Sequence, residues 1–117
     1  MIQRGGLVLI CQRAEGKHLA GYWEFPGGKM EAGEGAEEAL VREIREELGC
    51  EVNVGAALET VEHEYGELRI RLRPYLCALA EEEPQALEHA ALVWERLESL
   101  GNRRLAAADL KVADQLS

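Results

Sequence analysis

The sequence is short of paired cysteines, of long apolar runs and of basic residues, and each shortage closes off a class of function. Its three cysteines, Cys11, Cys50 and Cys77, are an odd, widely spaced set without a Cys-x-x-Cys pair. Such a set suggests neither a disulfide framework nor a zinc site. Reduced, partly buried thiols in a cytoplasmic protein are the expected state, because disulfides are rare in that compartment. No apolar stretch approaches the roughly 20 residues that a membrane span requires. No signal peptide precedes the first strand-like segment. Lys and Arg number 13 against 22 Asp and Glu, which leaves a net charge of −9. That balance argues against polymeric DNA or RNA as a partner, since either needs a basic footprint. It also sets a condition on any anionic substrate: a cation must supply the attraction that the protein's own field does not.

What remains is the composition of an ordinary folded domain. With 117 residues, 47% of them apolar and 30% charged, the chain can bury a core without disulfides or a structural metal. One domain over residues 1–117 is expected. Leu7 to Ile10 reads as a buried strand, and Ala14 to Tyr22 as a loop. Trp23-Glu24-Phe25 is a brief extended piece stopped by Pro26-Gly27-Gly28. From about Ala36 to Leu48 the apolar residues Leu40, Val41, Ile44 and Leu48 share one helical face, and Gly49 stands where a helix C-cap glycine belongs. Two strands are expected at about Val52 to Glu62 and Leu68 to Ala80. The second alternates Leu68, Ile70 and Leu72 with Arg69, Arg71 and Arg73, a half-buried strand whose basic face either lines solvent or borders a bound nucleotide. Glu81-Glu82-Glu83-Pro84 is a turn, and Ala90 to Trp94 a further short strand. The segment from about Ala106 to Leu116 reads as a helix burying Leu110, Val112, Ala113 and Leu116. The sum is an α+β fold with a mixed sheet, one central and one C-terminal helix.

The central helix breaks two local rules in one turn. Glu43, Glu46 and Glu47 stand at i, i+3 and i+4, so their carboxylates share an arc of about 100° and repel by roughly 0.2–0.5 kcal/mol per pair. They also crowd towards the C-terminal half, where the helix dipole disfavours anions. An acidic face can simply be solvated, but three features point elsewhere. Arg42 follows Glu38 and precedes Glu46 by four residues, so its guanidinium can brace Glu46. The preceding loop carries Gly27, Gly28, Gly33 and Gly35, a density that implies positive φ or close approach to the backbone. Glu34 sits in that same loop. Four carboxylates beside exposed backbone oxygens form a hard, oxygen-rich site suited to Mg²⁺ or Mn²⁺.

The stretch Gly28-x5-Glu34-x7-Arg42-Glu43-Ile44-x-Glu46-Glu47-x-Gly49-Cys50 resembles the Nudix box, G-x5-E-x7-R-E-U-x-E-E-x-G-U, where U is a bulky aliphatic residue. Only Cys50 departs, as a smaller apolar residue at the final position. The run Trp23-Glu24-Phe25-Pro26-Gly27-Gly28-Lys29, preceded by Gln12-Arg13, is similar to the MutT branch of that family. The resemblance implies a Nudix fold, with the sheet sandwiched between the catalytic helix and the C-terminal helix. It implies hydrolysis of a nucleoside triphosphate to the monophosphate and pyrophosphate, with Mg²⁺ or alternatively Mn²⁺ as cofactor.

The same resemblance assigns roles. Glu43, Glu46 and Glu47, with the backbone carbonyl of Gly27, would hold the cations. Glu88 would approach them as a ligand or general base, sharing the latter candidacy with Glu46. Arg42 would orient Glu46, while Glu34, Gly28 and Gly49 would organise the loop and helix. Arg13 and Lys29 would meet phosphate, with Gly28 beside them. On the residues alone, Phe25 and Tyr75 either wall the base pocket or pack in the core. His18, His63 and His89 have no metal-ligand spacing and read as incidental. Asp109 falls where MutT enzymes read the base, or else it is the N-cap of the last helix, a place its residue type favours. A carboxylate there accepts from the amino group of cytosine, or from the N7–H that 8-oxoguanine acquires. Hydrolysis of 8-oxo-dGTP is therefore one reading and hydrolysis of CTP or a modified dCTP the other. A non-catalytic Nudix recognition module is a third, but such modules usually lose box glutamates and all are present here. Family members usually begin with an extra strand before the stretch that starts here at Met1. Its apparent absence would expose a sheet edge and favour a homodimer.

Overall fold

The computed structural model describes residues 1–27 and 32–116. The elements run β1 (Ile2–Arg4), β2 (Leu7–Gln12), β3 (Trp23–Glu24), α1 (Ala36–Leu48), β4 (Val52–Ala57), β5 (Val61–Tyr65), β6 (Leu68–Leu72), β7 (Tyr75–Leu79) and β8 (Ala91–Arg96). A 3₁₀ segment, Leu97–Asn102, and α2 (Ala107–Asp114) follow. The central strand is β2. Along one side β8 pairs with it antiparallel from Leu7↔Arg96 to Gln12↔Ala91. Its other side is divided between β1, at Leu7 and Val8, and β3, at Cys11 and Gln12. The sheet continues from β1 to a parallel β7 and then to an antiparallel β4. It is therefore mixed, as expected.

β2 is apolar from Leu7 to Cys11 because both of its faces are covered. Val8 and Ile10 point into one cluster with Trp23, Leu105, Ala108 and Val112, while Leu9 and Cys11 point into another with Ile44, Leu48, Cys50 and Cys77. With a side-chain period of two, one strand thus supplies the core on the α2 side and the core on the α1 side. Helix α1 has the expected bounds. Ile44 and Leu48 are fully buried, and Gly49, at φ 65°, ends the helix in the left-handed conformation with its N–H donated to the Arg45 carbonyl. Among the described residues no helix is long and apolar enough to cross a membrane.

Four expectations are corrected. The first strand is present in a shortened form: Gly5 and Gly6 have φ of 53° and 82°, the two-residue hairpin turn that matches strand twist, and Ile2–Arg4 fills the place beside β2. The gap from which an exposed edge was inferred is closed. The expected strand 52–62 is divided at Leu58, Glu59 and Thr60 into β4 and β5, and β4 itself carries a bulge between Val54 and Ala57, where a Cβ on Gly55 would lie 2.9 Å from the Leu76 carbonyl oxygen. The expected strand 68–80 breaks at Pro74, which has no N–H for a ladder. Its first half pairs only with β5, as a separate two-stranded sheet. Finally, Leu110 is exposed. It lies about 200° around α2 from Val112, whereas Ala108, Asp109, Val112 and Ala113 form the buried side.

Candidate active site

The acidic face of α1 is organised by one guanidinium. Arg42 grips Glu34 with two prongs, Nε to Oε2 at 2.7 Å and a terminal nitrogen to Oε1 at 3.0 Å. Its other terminal nitrogen lies 3.1 Å from Glu46 Oε2 and 3.2 Å from Glu43 Oε1. Bidentate pairing fixes direction as well as distance, so the cation pins the loop before α1 to the helix and aligns two carboxylates. The brace on Glu46 was legible in the i, i+4 spacing, and the two-pronged grip on Glu34 extends it to the loop.

The third glutamate behaves differently. Glu47 is 7% exposed and is hydrogen-bonded to Glu43. Burial raises its carboxyl to about 8, and the charges of Glu24, Glu43 and Glu88 push in the same direction. Beside it stand Glu24, from β3, and His89, from the loop before β8. Ligand atoms of the three lie within 4.8 Å of one another. His89 Nε2 is 2.9 Å from Glu24 Oε2 and 3.6 Å from Glu47 Oε1, and the other oxygen of Glu24 accepts from Arg13 at 2.7 Å. A buried carboxyl crowded by acids is a site that a divalent cation would relieve, and carboxylate oxygens suit a hard ion. Glu88 is exposed and has no hydrogen bond or ion pair among the described residues. It reaches this group through its charge on Glu47.

A cavity of about 720 Å³ opens between α1, α2 and the β5–β6 hairpin. Arg13, Phe25, Gly27, Tyr75 and Asp109 all line it, so the expected phosphate and base contacts converge there. Gly28 and Lys29 lie outside the described residues. Gly27 is at φ 107°, and a Cβ on it would fall 2.4 Å from Leu40 Cδ1, so the loop packs directly on α1. Asp109, third residue of α2, accepts the Phe25 N–H at 3.0 Å. Burial raises its carboxyl to about 7; the Phe25 N–H and the charge of Arg13 act against that rise, and the charge of Glu24 adds to it. Ala106, not Asp109, is the N-cap of α2.

Two residues escaped the sequence reading. Glu24 was noticed only within the run Trp23 to Lys29, and His89 was set aside as incidental. The structure corrects the latter: His89 is a buried member of the acidic group. No spacing announces it, since its partners are 65 and 42 positions away in sequence. Arg69 and Arg71 of β6, with Arg73 just beyond it, border the cavity, the second of the two places expected for them. Arg69 and Arg71 are paired across the hairpin with Glu64 and Glu62.

The NUDIX domain profile matches residues 1–115. The chain is 40% identical over 114 residues to a CTP pyrophosphohydrolase of Escherichia coli, covering 97% of this chain and 84% of that protein. It is 38% identical over 93 residues to an 8-oxo-dGTP diphosphatase of the same organism, covering 80% and 72%. Its fold matches the crystal structure of a MutT NUDIX hydrolase from Burkholderia pseudomallei with a TM-score of 0.86 and 32% identity, over 99% of this chain and 92% of that one.

Proposed function

The chain belongs to the Nudix family and is a MutT-like hydrolase of phosphoanhydride bonds, and on that premise we propose that it converts a nucleoside triphosphate to the monophosphate and pyrophosphate with Mg²⁺, Mn²⁺ serving as a substitute. The observation that carries the reading is the junction of two structures: the carboxylates of Glu43, Glu46 and Glu47 on α1, and a nucleotide-sized cavity reached past Gly27. Glu43, Glu46, Glu47 and the Gly27 carbonyl would hold the cation, with Glu88 beside them. When bound, the cation neutralises phosphate charge and lowers the pKa of water. Arg42 fixes Glu43 and Glu46 in place and ties them to Glu34. Glu46 has one carboxylate oxygen committed to Arg42, whereas Glu88 carries no such partner among the described residues, which favours Glu88 as the group that takes the proton from the attacking water. Arg13 and Lys29 would meet the phosphates.

The base is read at Asp109. One of its oxygens accepts the Phe25 N–H, and the residue lines the cavity. Oxidised guanine, as in 8-oxo-dGTP, is the leading substrate base. The alternative, cytosine in CTP or a modified dCTP, is favoured by the acceptor character of an ionised Asp109 and by the name of the 40% identical relative. Three free, buried thiols accord with a reducing, cytoplasmic setting. The main sheet ends at β4 and β8 among the described residues, and pairing through either edge would give a homodimer; a strict monomer in gel filtration at micromolar concentration would count against that.

The test is pyrophosphate release with Mg²⁺ across 8-oxo-dGTP, dGTP, dCTP, 5-methyl-dCTP and CTP. Glu47→Gln should lower kcat on the order of a thousandfold, the scale of losing a group that stabilises transition-state charge. Equal, negligible release by the native protein and the variant across the panel would sink the enzymatic reading in favour of a recognition module.

A further inference from the structure

The buried histidine has no place in the chemistry described so far, yet it is built into the site with care. His89 is 6% exposed in its side chain. Its Nδ1 is buried with no hydrogen-bond partner among the described residues. A hydrogen on Nδ1 would be left without an acceptor, so the ring carries its hydrogen on Nε2, aimed at the acids. That nitrogen donates to Glu24 Oε2 at 2.9 Å and faces Glu47 Oε1 at 3.6 Å. Glu24 is then held at both oxygens, by His89 on one side and by Arg13 on the other. The backbone on either side is also tied down. The Leu87 N–H donates to the Glu47 carbonyl at 3.2 Å, and the Ala90 N–H to the Gln12 carbonyl at 2.9 Å. Glu88 lies between those two ties.

We propose that His89 is a positioning residue that works through Glu24. It keeps the Glu24 carboxylate from turning onto Glu47, so that Glu47 stays directed to the cation. By fixing Glu24 it also holds Arg13 at the cavity wall, and by filling its slot it sets the loop that carries Glu88. One side chain thus couples the phosphate end of the cavity to the metal end. The inference rests on the reading of Glu47 as a metal ligand, and the experiment separates the two.

Mn²⁺ binding to the metal-free protein is measured by titration calorimetry, and kcat and KM are measured with Mg²⁺, for four variants. His89→Phe keeps a ring but removes the N–H; Mn²⁺ affinity should fall about tenfold or more, the usual scale for a residue that orients a metal ligand. KM should rise several-fold as Arg13 loosens, in addition to a fall in kcat. His89→Gln places an amide N–H close to the lost Nε2 and should recover most of both. Glu24→Gln leaves one acceptor oxygen for two donors, His89 and Arg13, so it weakens the same link from the other end and serves if His89→Phe does not fold. Unchanged Mn²⁺ affinity in both His89→Phe and Glu24→Gln, with affinity lost in Glu47→Gln, overturns the positioning role alone. Affinity unchanged in Glu47→Gln overturns the metal-ligand reading and this inference with it. A His89→Gln protein as impaired as His89→Phe also overturns the inference, because ring packing and not the N–H would then be what matters.

Discussion

The site contains two acidic groups built on opposite plans. The outer one, Glu34, Glu43 and Glu46 around Arg42, is drawn from a single stretch of 13 residues and is partly open to water. The inner one, Glu24, Glu47 and His89, is drawn from β3, α1 and the loop before β8, and is largely buried. In the outer group one guanidinium ties three carboxylates together, so their alignment does not depend on a cation even though their charge is only partly balanced. In the inner group burial and mutual repulsion raise Glu47 to about 8, so at neutral pH its carboxyl holds a proton that a bound cation would displace. One group supplies alignment and the other supplies demand for metal.

The sharpest way to break this division is to remove the guanidinium. Arg42→Gln should lower kcat about a hundredfold, since misplacing reacting groups by an ångström costs that much. It should also destabilise the fold by about 2 kcal/mol, a partly screened version of breaking a buried pair. Steady-state kinetics and urea unfolding check the two numbers. Arg42→Lys should recover the stability in part and the rate much less, because a point charge cannot reproduce the two-pronged contact with Glu34. A lysine variant with native kcat would mean that Arg42 contributes charge alone.

The same division explains what could be read from the sequence. The outer group and α1 were legible because their contacts are local: the i, i+4 spacing of Arg42 and Glu46, the apolar arc of Leu40, Ile44 and Leu48, and the stop at Gly49 all lie within a few turns. The inner group was not, because Glu24 and His89 meet only after β3 and β8 have both paired with β2. Strand breaks failed for a related reason. Pro74 was in plain view, but Leu58, Glu59 and Thr60 include no breaker residue, and the break there goes with bonds to distant partners, Leu58 N–H to the Pro74 carbonyl and Glu59 N–H to Gln115. The Gly5-Gly6 turn was the missed local signal, and it would have restored β1. The buried side of α2 was misjudged because an eight-residue helix offers too few turns for its apolar positions to settle one face.

A smaller effect is expected where the two plans touch. Gly27 sits at φ 107° against Leu40 on α1, so Gly27→Ala should cost about 1–3 kcal/mol from the strained backbone and the crowded methyl. Trimming the obstacle in Gly27→Ala/Leu40→Ala should then cost less than the sum of the two single changes. Strict additivity in urea unfolding would show that the loop does not press on the helix.

The mildest change addresses the base end of the cavity, where the carboxyl of Asp109 titrates near 7 because it is buried. Its folded pKa lies above the ordinary carboxylate value, so ionisation disfavours the folded state, and that loss accrues as pH rises from about 4 to about 7. Asp109→Asn cannot ionise. The Tm of the native protein should therefore fall relative to the variant between pH 4 and 7 and then run parallel above pH 8. Selectivity should follow the same group. Below pH 7 the protonated Asp109 donates and accepts like an amide, and above it only accepts. The ratio of kcat/KM for 8-oxo-dGTP over CTP should decline several-fold across that range in the native protein, and hold constant at the higher value in Asp109→Asn. Glu24 and Arg13, the charged groups that also act on Asp109, are common to both proteins, so a pH-dependent ratio that persists in the variant would transfer base selection to them.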